Sequence, residues 1–270
     1  TEVKGSKRWL DIFFLPRFQP IEIVKPFIII FISTILCSEK NFNIYFKYLL
    51  TFIAIIPACL LLMMQPDIGQ TLLIFLAWAI LVFISGISLP VILTFFSFSL
   101  LSLVYMVFFI QKFAYIKNRI LSFFNPNDGT HNFQSDKAID AISSGGYFGK
   151  GIGEGTLKNR VPEAHTDYII SVIAEEFGVV VIMLLLILFL FFIYTVFQKI
   201  YLEKSEKIKL VLTGTMCLII FQALIHIGVN IRLFPTTGMT LPFLSYGGSS
   251  IVGVSILSGI ILNLTKRKVD

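Results

Sequence analysis

The chain has 270 residues, 56% hydrophobic and 14% charged, with 28 Phe and a formal net charge of +6. Soluble domains carry about 25% charged residues, so an ordinary soluble domain is excluded, as are a disordered chain and, with 3 Cys at 37, 59 and 217, a disulfide scaffold. What remains is a multi-span membrane protein. Its basic residues fall between apolar runs, so the charge excess reads as membrane topology and not as nucleic-acid binding.

The chain opens on the polar stretch TEVKGSKRW, which lacks the parts of a signal peptide and reads as a loop whose upstream part is missing. A helical span needs roughly 20 apolar residues. Seven runs approach that length, at about 21–38, 48–64, 69–86, 89–112, 168–197, 210–230 and 241–264. Gln65-Pro66-Asp67-Ile68-Gly69 breaks the second run from the third, and Gly86 to Pro90 breaks the third from the fourth. The runs are continuous and do not alternate, which argues against a β-barrel. The expectation is an all-α polytopic bundle, one integral membrane domain over 1–270 with seven spans.

One connection is long, at 117–167. Phe133, Ala138, Ile139, Ala141 and Ile142 recur there at helical spacing, which predicts short helices lying on the membrane surface. A glycine stretch follows at 145–155. Lys199, Lys204, Lys207 and Lys209, with Lys40, Lys47, Lys266, Arg267 and Lys268, mark one side as cytoplasmic. The long loop, the Asp67 turn and Arg232 then face outside, although basic residues in the long loop weaken the asymmetry.

Several residues stand out chemically, each with a plainer reading. Glu22 and Lys25 share a helix face inside the first span, either as an internal pair or as an anion site. Asp167 closes the segment Pro162-Glu163-Ala164-His165-Thr166-Asp167-Tyr168 at the outer surface. There it reads as a general base or, more simply, as a helix N-cap. Glu175 and Glu176 lie deeper, as a proton relay or as partners for a residue such as Lys25. The glycine stretch fits neither a P-loop nor a dinucleotide fingerprint. It is a surface turn, or a set of amides that approaches a phosphate with Lys150. His131, Glu163, His165 and Asp167 match no zinc spacing, and no metal ligands are expected. His226 and Asn230, one turn apart, read as interhelical hydrogen bonders. Small residues at 249, 253, 255 and 259 read as a packing seam.

The stretches GSKRWL (5–10), FQPIEIVKP (18–26), QPDIGQT (65–71), GGYFGKGIGEGTLKNRVPEAHTDYIISVIAEEFG (145–178) and LFPTTGMTLPFLSYGGSS (233–250) together resemble the SEDS family. These are the shape, elongation, division and sporulation proteins, polytopic peptidoglycan glycosyltransferases. Ala164, Asn230 and Thr240-Leu241-Pro242 are similar to the cell-division type. Ile21 departs from the family pattern, which commonly has Ser before the Glu. The family usually has ten spans, so the resemblance implies that these are the last seven and that three are absent upstream.

The resemblance implies polymerisation of lipid II in septal wall synthesis, with Asp167 as the catalytic carboxylate. Arg8, Glu22 and Lys25 match the family's functional positions, and Lys150, Arg160, Glu163 and His165 are added as candidate substrate-binding residues. A divalent cation, Mg2+ or Mn2+, is an optional addition. The implied partners are lipid II, the undecaprenyl-linked glycan strand, a class B penicillin-binding protein, other division proteins and membrane lipid. The implied place is the bacterial inner membrane at the septum, with the site outside. A lipid II flippase, suggested by the intramembrane charges, and a non-enzymatic scaffold for the transpeptidase are the rival readings.

Overall fold

The computed structural model describes residues 8–12, 15–38, 43–124 and 133–266. Part of the first resemblance stretch (5–7) lies outside these, as do Lys40, His131, Arg267 and Lys268.

An antiparallel hairpin comes first, β1 (Leu10–Ile12) and β2 (Leu15–Phe18), with Leu10 opposite Phe18 and Ile12 opposite Leu15. Pro20 then opens α1 (Pro20–Leu36), where its missing N–H costs nothing. Asn43 caps α2 (Ile44–Met64), its side-chain oxygen accepting from Tyr45 N at 3.2 Å. Asp67 caps α3 (Ile68–Ile84), Oδ1 accepting from Gln70 N at 3.2 Å. Pro90 sits in the first turn of α4 (Leu89–Phe109). The long connection holds α5 (Ala114–Phe124), α6 (Phe133–Gly145) and a 3-10 turn at Leu157–Arg160. Three helices follow: α7 (Ile169–Leu202), α8 (Glu206–Asn230) and α9 (Gly248–Thr265).

Among the described residues, α2, α4, α7, α8 and α9 are long and apolar enough to cross a membrane. α3 is equally apolar at 17 residues, and α1 also has 17. At 1.5 Å per residue that is about 26 Å, the short end of a span. The last helix starts at Gly248 and not at 241. Pro242, the left-handed Phe243 (φ 67°) and Gly247-Gly248 keep 241–247 as a turn.

The chain divides into two compact units, the first formed by Thr1–Ala114, Thr195–Phe221 and Gly248–Asp270, the second by Tyr115–Tyr194 and Gln222–Gly247. In the first unit α1 packs on α9, α2 and α3, and α3 also meets α2 and α4. Its centre is Trp78, which donates to Thr51 Oγ1 at 3.1 Å and packs edge-on or tilted against Phe52, Phe75 and Phe95. The small-residue seam of α9 faces α1. Ser249 Oγ accepts from Gln19 N at 2.8 Å, and a Cβ at Gly253 would lie 2.6 Å from the Glu22 carbonyl oxygen. The second unit is built on Ile170, Ala223 and Leu241, with Ile169, Ile182, Phe189 and Ile227 packed around them.

Candidate functional site

Asp167 lies in the second unit, half-buried, on a turn that precedes α7. Glu163, in the left-handed region (φ 57°), reverses the chain. Its carbonyl oxygen accepts from the N–H groups of Thr166 (3.1 Å), Asp167 (3.0 Å) and Tyr168 (3.3 Å). The first helical bonds, from Ser171 N (3.0 Å) and Val172 N (3.4 Å), end on Tyr168 O. Tyr168 therefore occupies the cap, and Asp167 stands one residue outside the helix. The three carbonyls from 165 to 167 are each taken. His165 O accepts from Tyr246 N at 2.9 Å, Thr166 O from Ser245 Oγ at 2.6 Å, and Asp167 O from Asn230 Nδ2 at 3.0 Å. Arg160, Glu163 and His165 are exposed around the turn, and Thr166 Oγ1 donates to the Glu163 carboxylate at 3.2 Å.

One cation near this turn was not singled out in the sequence. Burial pushes the Tyr168 hydroxyl well above its ordinary pKa, the Asp167 charge adds to the rise, and Arg119 opposes it. The Arg119 charge thus reaches Tyr168, the residue after Asp167. Its Nη1 donates to Thr236 O at 3.2 Å, beside a small recess lined by Ser122, Phe123, Ser135 and Phe234. The cue was weak, because Arg119 sits among other basic residues in a connection with no motif of its own.

The glycine stretch packs against α7. α7 breaks at Gly178, where φ is 77° and ψ −178°. The freed carbonyls of Glu175 and Glu176 accept from Lys150 N (2.9 Å) and Gly151 N (3.0 Å). In return Val179 N and Val180 N donate to Gly146 O (3.0 Å) and Tyr147 O (3.3 Å). The backbones approach so closely that a Cβ at Gly149 would lie 2.2 Å from Glu176 O, and one at Gly178 would lie 2.3 Å from Tyr147 O. Glu175, fully buried, offers Oε1 to Lys150 Nζ (3.2 Å), Thr156 N (3.0 Å) and Leu157 N (2.9 Å). Glu176 Oε1 accepts from Gly153 N at 3.2 Å. The amides of Lys150, Gly151, Gly153, Thr156 and Leu157 all donate to α7. Lys150 faces Glu175, and Glu175 finds its partners in the loop.

Arg8, Glu22 and Lys25 lie in the first unit and belong to one network. Lys25 Nζ meets Glu22 Oε2 at 2.7 Å with both side chains almost wholly buried. Gln70 Nε2 donates to Glu22 Oε1 at 2.6 Å, and the Gln70 amide donates to Asp67. Asp67 Oδ2 also accepts from Gln19 Nε2 at 3.1 Å and faces Arg8 Nη1 at 3.4 Å. Arg8 further donates to the carbonyls of Gln65 (3.0 Å) and Pro66. Burial raises the Asp67 carboxyl above its ordinary range, with Arg8 pulling it back. Gln19, Asp67 and Gln70 complete what the sequence marked only as Arg8 and the Glu22–Lys25 pair.

Among the described residues no three Asp, Glu, His or Cys side chains converge as a metal cage would require. His226 and Asn230 bond to turns and not to another helix. His226 Nδ1 lies 2.7 Å from Met239 O, and Asn230 reaches Asp167 O.

Comparison with known proteins agrees with this architecture. The family model FTSW_RODA_SPOVE, described as cell cycle protein, matches residues 1–269. The protein named "Probable peptidoglycan glycosyltransferase FtsW" of Caulobacter vibrioides is 35% identical, covering 98% of this chain and 67% of the relative. Its namesake in Pseudomonas fluorescens is 34% identical, covering 97% and 66%. The chain thus spans about two thirds of the length of these relatives. A solved chain from work on "Structural coordination of polymerization and crosslinking by a peptidoglycan synthase complex" superposes with a TM-score of 0.78 at 27% identity, covering 98% of this chain and 74% of that one. The rod shape determining protein RodA of Thermus thermophilus gives 0.66 at 26% identity, covering 98% and 70%. A multi-pass helical membrane protein matched from residue 1 to residue 269, this chain belongs to the FtsW, RodA and SpoVE family of cell cycle proteins.

Proposed function

We propose that the chain polymerises lipid II into glycan strands on the outer face of the bacterial cytoplasmic membrane, during septal wall synthesis. The observation that carries this reading is the Asp167 turn. It is a half-buried carboxylate just outside a membrane helix, on a backbone fixed through three consecutive carbonyls. Its relatives' names supply the reaction class.

Asp167 takes the proton from the 4-hydroxyl of the acceptor GlcNAc. That oxygen attacks the anomeric carbon of the donor strand. The bond from this carbon to the pyrophosphate oxygen breaks, undecaprenyl pyrophosphate leaves, and the anomeric configuration inverts. The exposed Arg160 and the nearby Arg119 supply positive charge to the departing group, while Lys150 holds the loop against α7. Glu163 and His165 form the polar rim that meets the sugars. The described carboxylates and imidazoles do not converge as a protein-built cation site would require. A class B penicillin-binding protein is the proposed partner, supported by the likeness to a chain of a peptidoglycan synthase complex.

The test is incubation of the purified protein, with its partner, with lipid II. Glycan strands are expected, with one undecaprenyl pyrophosphate released for each glycosidic bond formed. Lipid II translocation across liposomes without polymer would replace this reading with transport, and partner activation without polymer would replace it with the scaffold.

A further inference from the structure

We propose that Asn230 and Ser245 are positioning residues for the Asp167 carboxylate, holding its peptide from two sides; this rests on the reading of Asp167 as the base. A base must sit within about 2.6–3.2 Å of the proton it removes. An error near 1 Å, introduced away from the chemistry, costs roughly 10²-fold. The turn at 163–168 has no helical or strand ladder to fix it to that tolerance. Its inner amides close on Glu163 O, which shapes the turn but does not anchor it. The anchors are external and lie in the same unit.

Asn230, the last residue of α8 and wholly buried, donates through Nδ2 to Asp167 O at 3.0 Å and to His226 O at 2.9 Å. Ser245, also buried, donates to Thr166 O at 2.6 Å and accepts from Leu241 N at 2.8 Å. One grips the peptide after Asp167 and the other the peptide before it. The two anchors share a support. Gln222, His226 and Asn230 recur every four residues, so they lie on one face of α8. Gln222 Nε2 donates to Thr240 O (3.1 Å) and Oγ1 (3.2 Å), and His226 Nδ1 meets Met239 O. A carbonyl only accepts, so that imidazole nitrogen carries the proton. The turn bearing Ser245 is thereby fastened to the helix bearing Asn230, and Asp167 is held between them.

The experiment measures strand synthesis from lipid II by the full protein with Asn230→Ala, Ser245→Ala and Ser245→Thr, normalised to folded protein by thermal melts. Each Ala variant is expected to lose about 10- to 100-fold in kcat, with KM within about threefold. Ser245→Thr keeps the hydroxyl and is expected to recover most of the loss, with Ser245→Cys as a second donor variant if Thr does not fold. A kcat within about threefold of wild type for both Ala variants overturns the proposal. So does a loss carried by KM, or failure of every folded donor variant to recover. Asp167→Asn runs in parallel. If it polymerises normally, the base assignment itself falls; if it is inactive while both Ala variants are normal, only the positioning role falls.

Discussion

Gly178→Ala perturbs the break in α7 against which the glycine stretch packs. The wild-type residue holds φ 77° and ψ −178°, a conformation essentially reserved for glycine. A side chain there costs about 1–3 kcal/mol in backbone strain. Its Cβ would also lie 2.3 Å from Tyr147 O, so the loop must move away. That movement breaks the bonds from Val179 N to Gly146 O and from Val180 N to Tyr147 O, each about 0.5–1.5 kcal/mol net. The sum is roughly 2–6 kcal/mol, felt locally, because the rest of α7 keeps its own ladder. Hydrogen exchange at amides 150–157, with limited proteolysis of the same loop, measures it. Protection there is expected to fall by at least tenfold while α2 and α3 stay protected. Unchanged protection in a folded Gly178→Ala protein would refute the reading of the glycine stretch as a clamp on a broken helix.

Other outcomes follow from the buried charges. Lys25→Met leaves the Glu22 carboxylate buried against Gln70 alone, and is expected to cost about 3–5 kcal/mol in thermal stability. Adding Glu22→Gln is expected to recover much of it, and a single variant as stable as wild type would contradict the pair. Glu175→Ala strips the acceptor from the Thr156 and Leu157 amides, and is expected to cost about 2–6 kcal/mol and expose loop 150–157 to protease. Tyr168 has its folded-state pKa raised by burial, then by Asp167, so its contribution is complete below its ordinary 10.0 and is lost as pH climbs above that. Tyr168→Phe is expected to flatten the alkaline fall in stability, and an identical profile would contradict the buried hydroxyl.

The helices were legible because long apolar runs have one structural outcome in lipid. Pro66, Asp67 and Pro90 marked their breaks correctly, since capping and ring constraints act locally. The break at Gly178 was hidden. A lone glycine in an apolar run is tolerated by a continuous helix, and only the approach of Tyr147, far off in sequence, shows why it is there. The partners of Glu175 were hidden for the same reason: Lys150, Thr156 and Leu157 are brought to it by the fold and not by spacing. The start of the last helix slipped because Leu241, Pro242 and Phe243 continue an apolar pattern although their backbone turns. Asp167 was located by its segment, yet the anchors Asn230 and Ser245 lie 63 and 78 positions away. No local pattern joins them to the carboxylate they hold.

The proposed chemistry depends most on one carboxylate, Asp167. Single-turnover polymerisation of labelled lipid II by wild-type protein and by Asp167→Asn, with lipid II binding measured on the same samples, tests it. General-base catalysis is typically worth 10²–10⁴-fold. The expected result is retained binding with strand formation reduced by at least about 10². Strand formation by Asp167→Asn at the wild-type rate would contradict it.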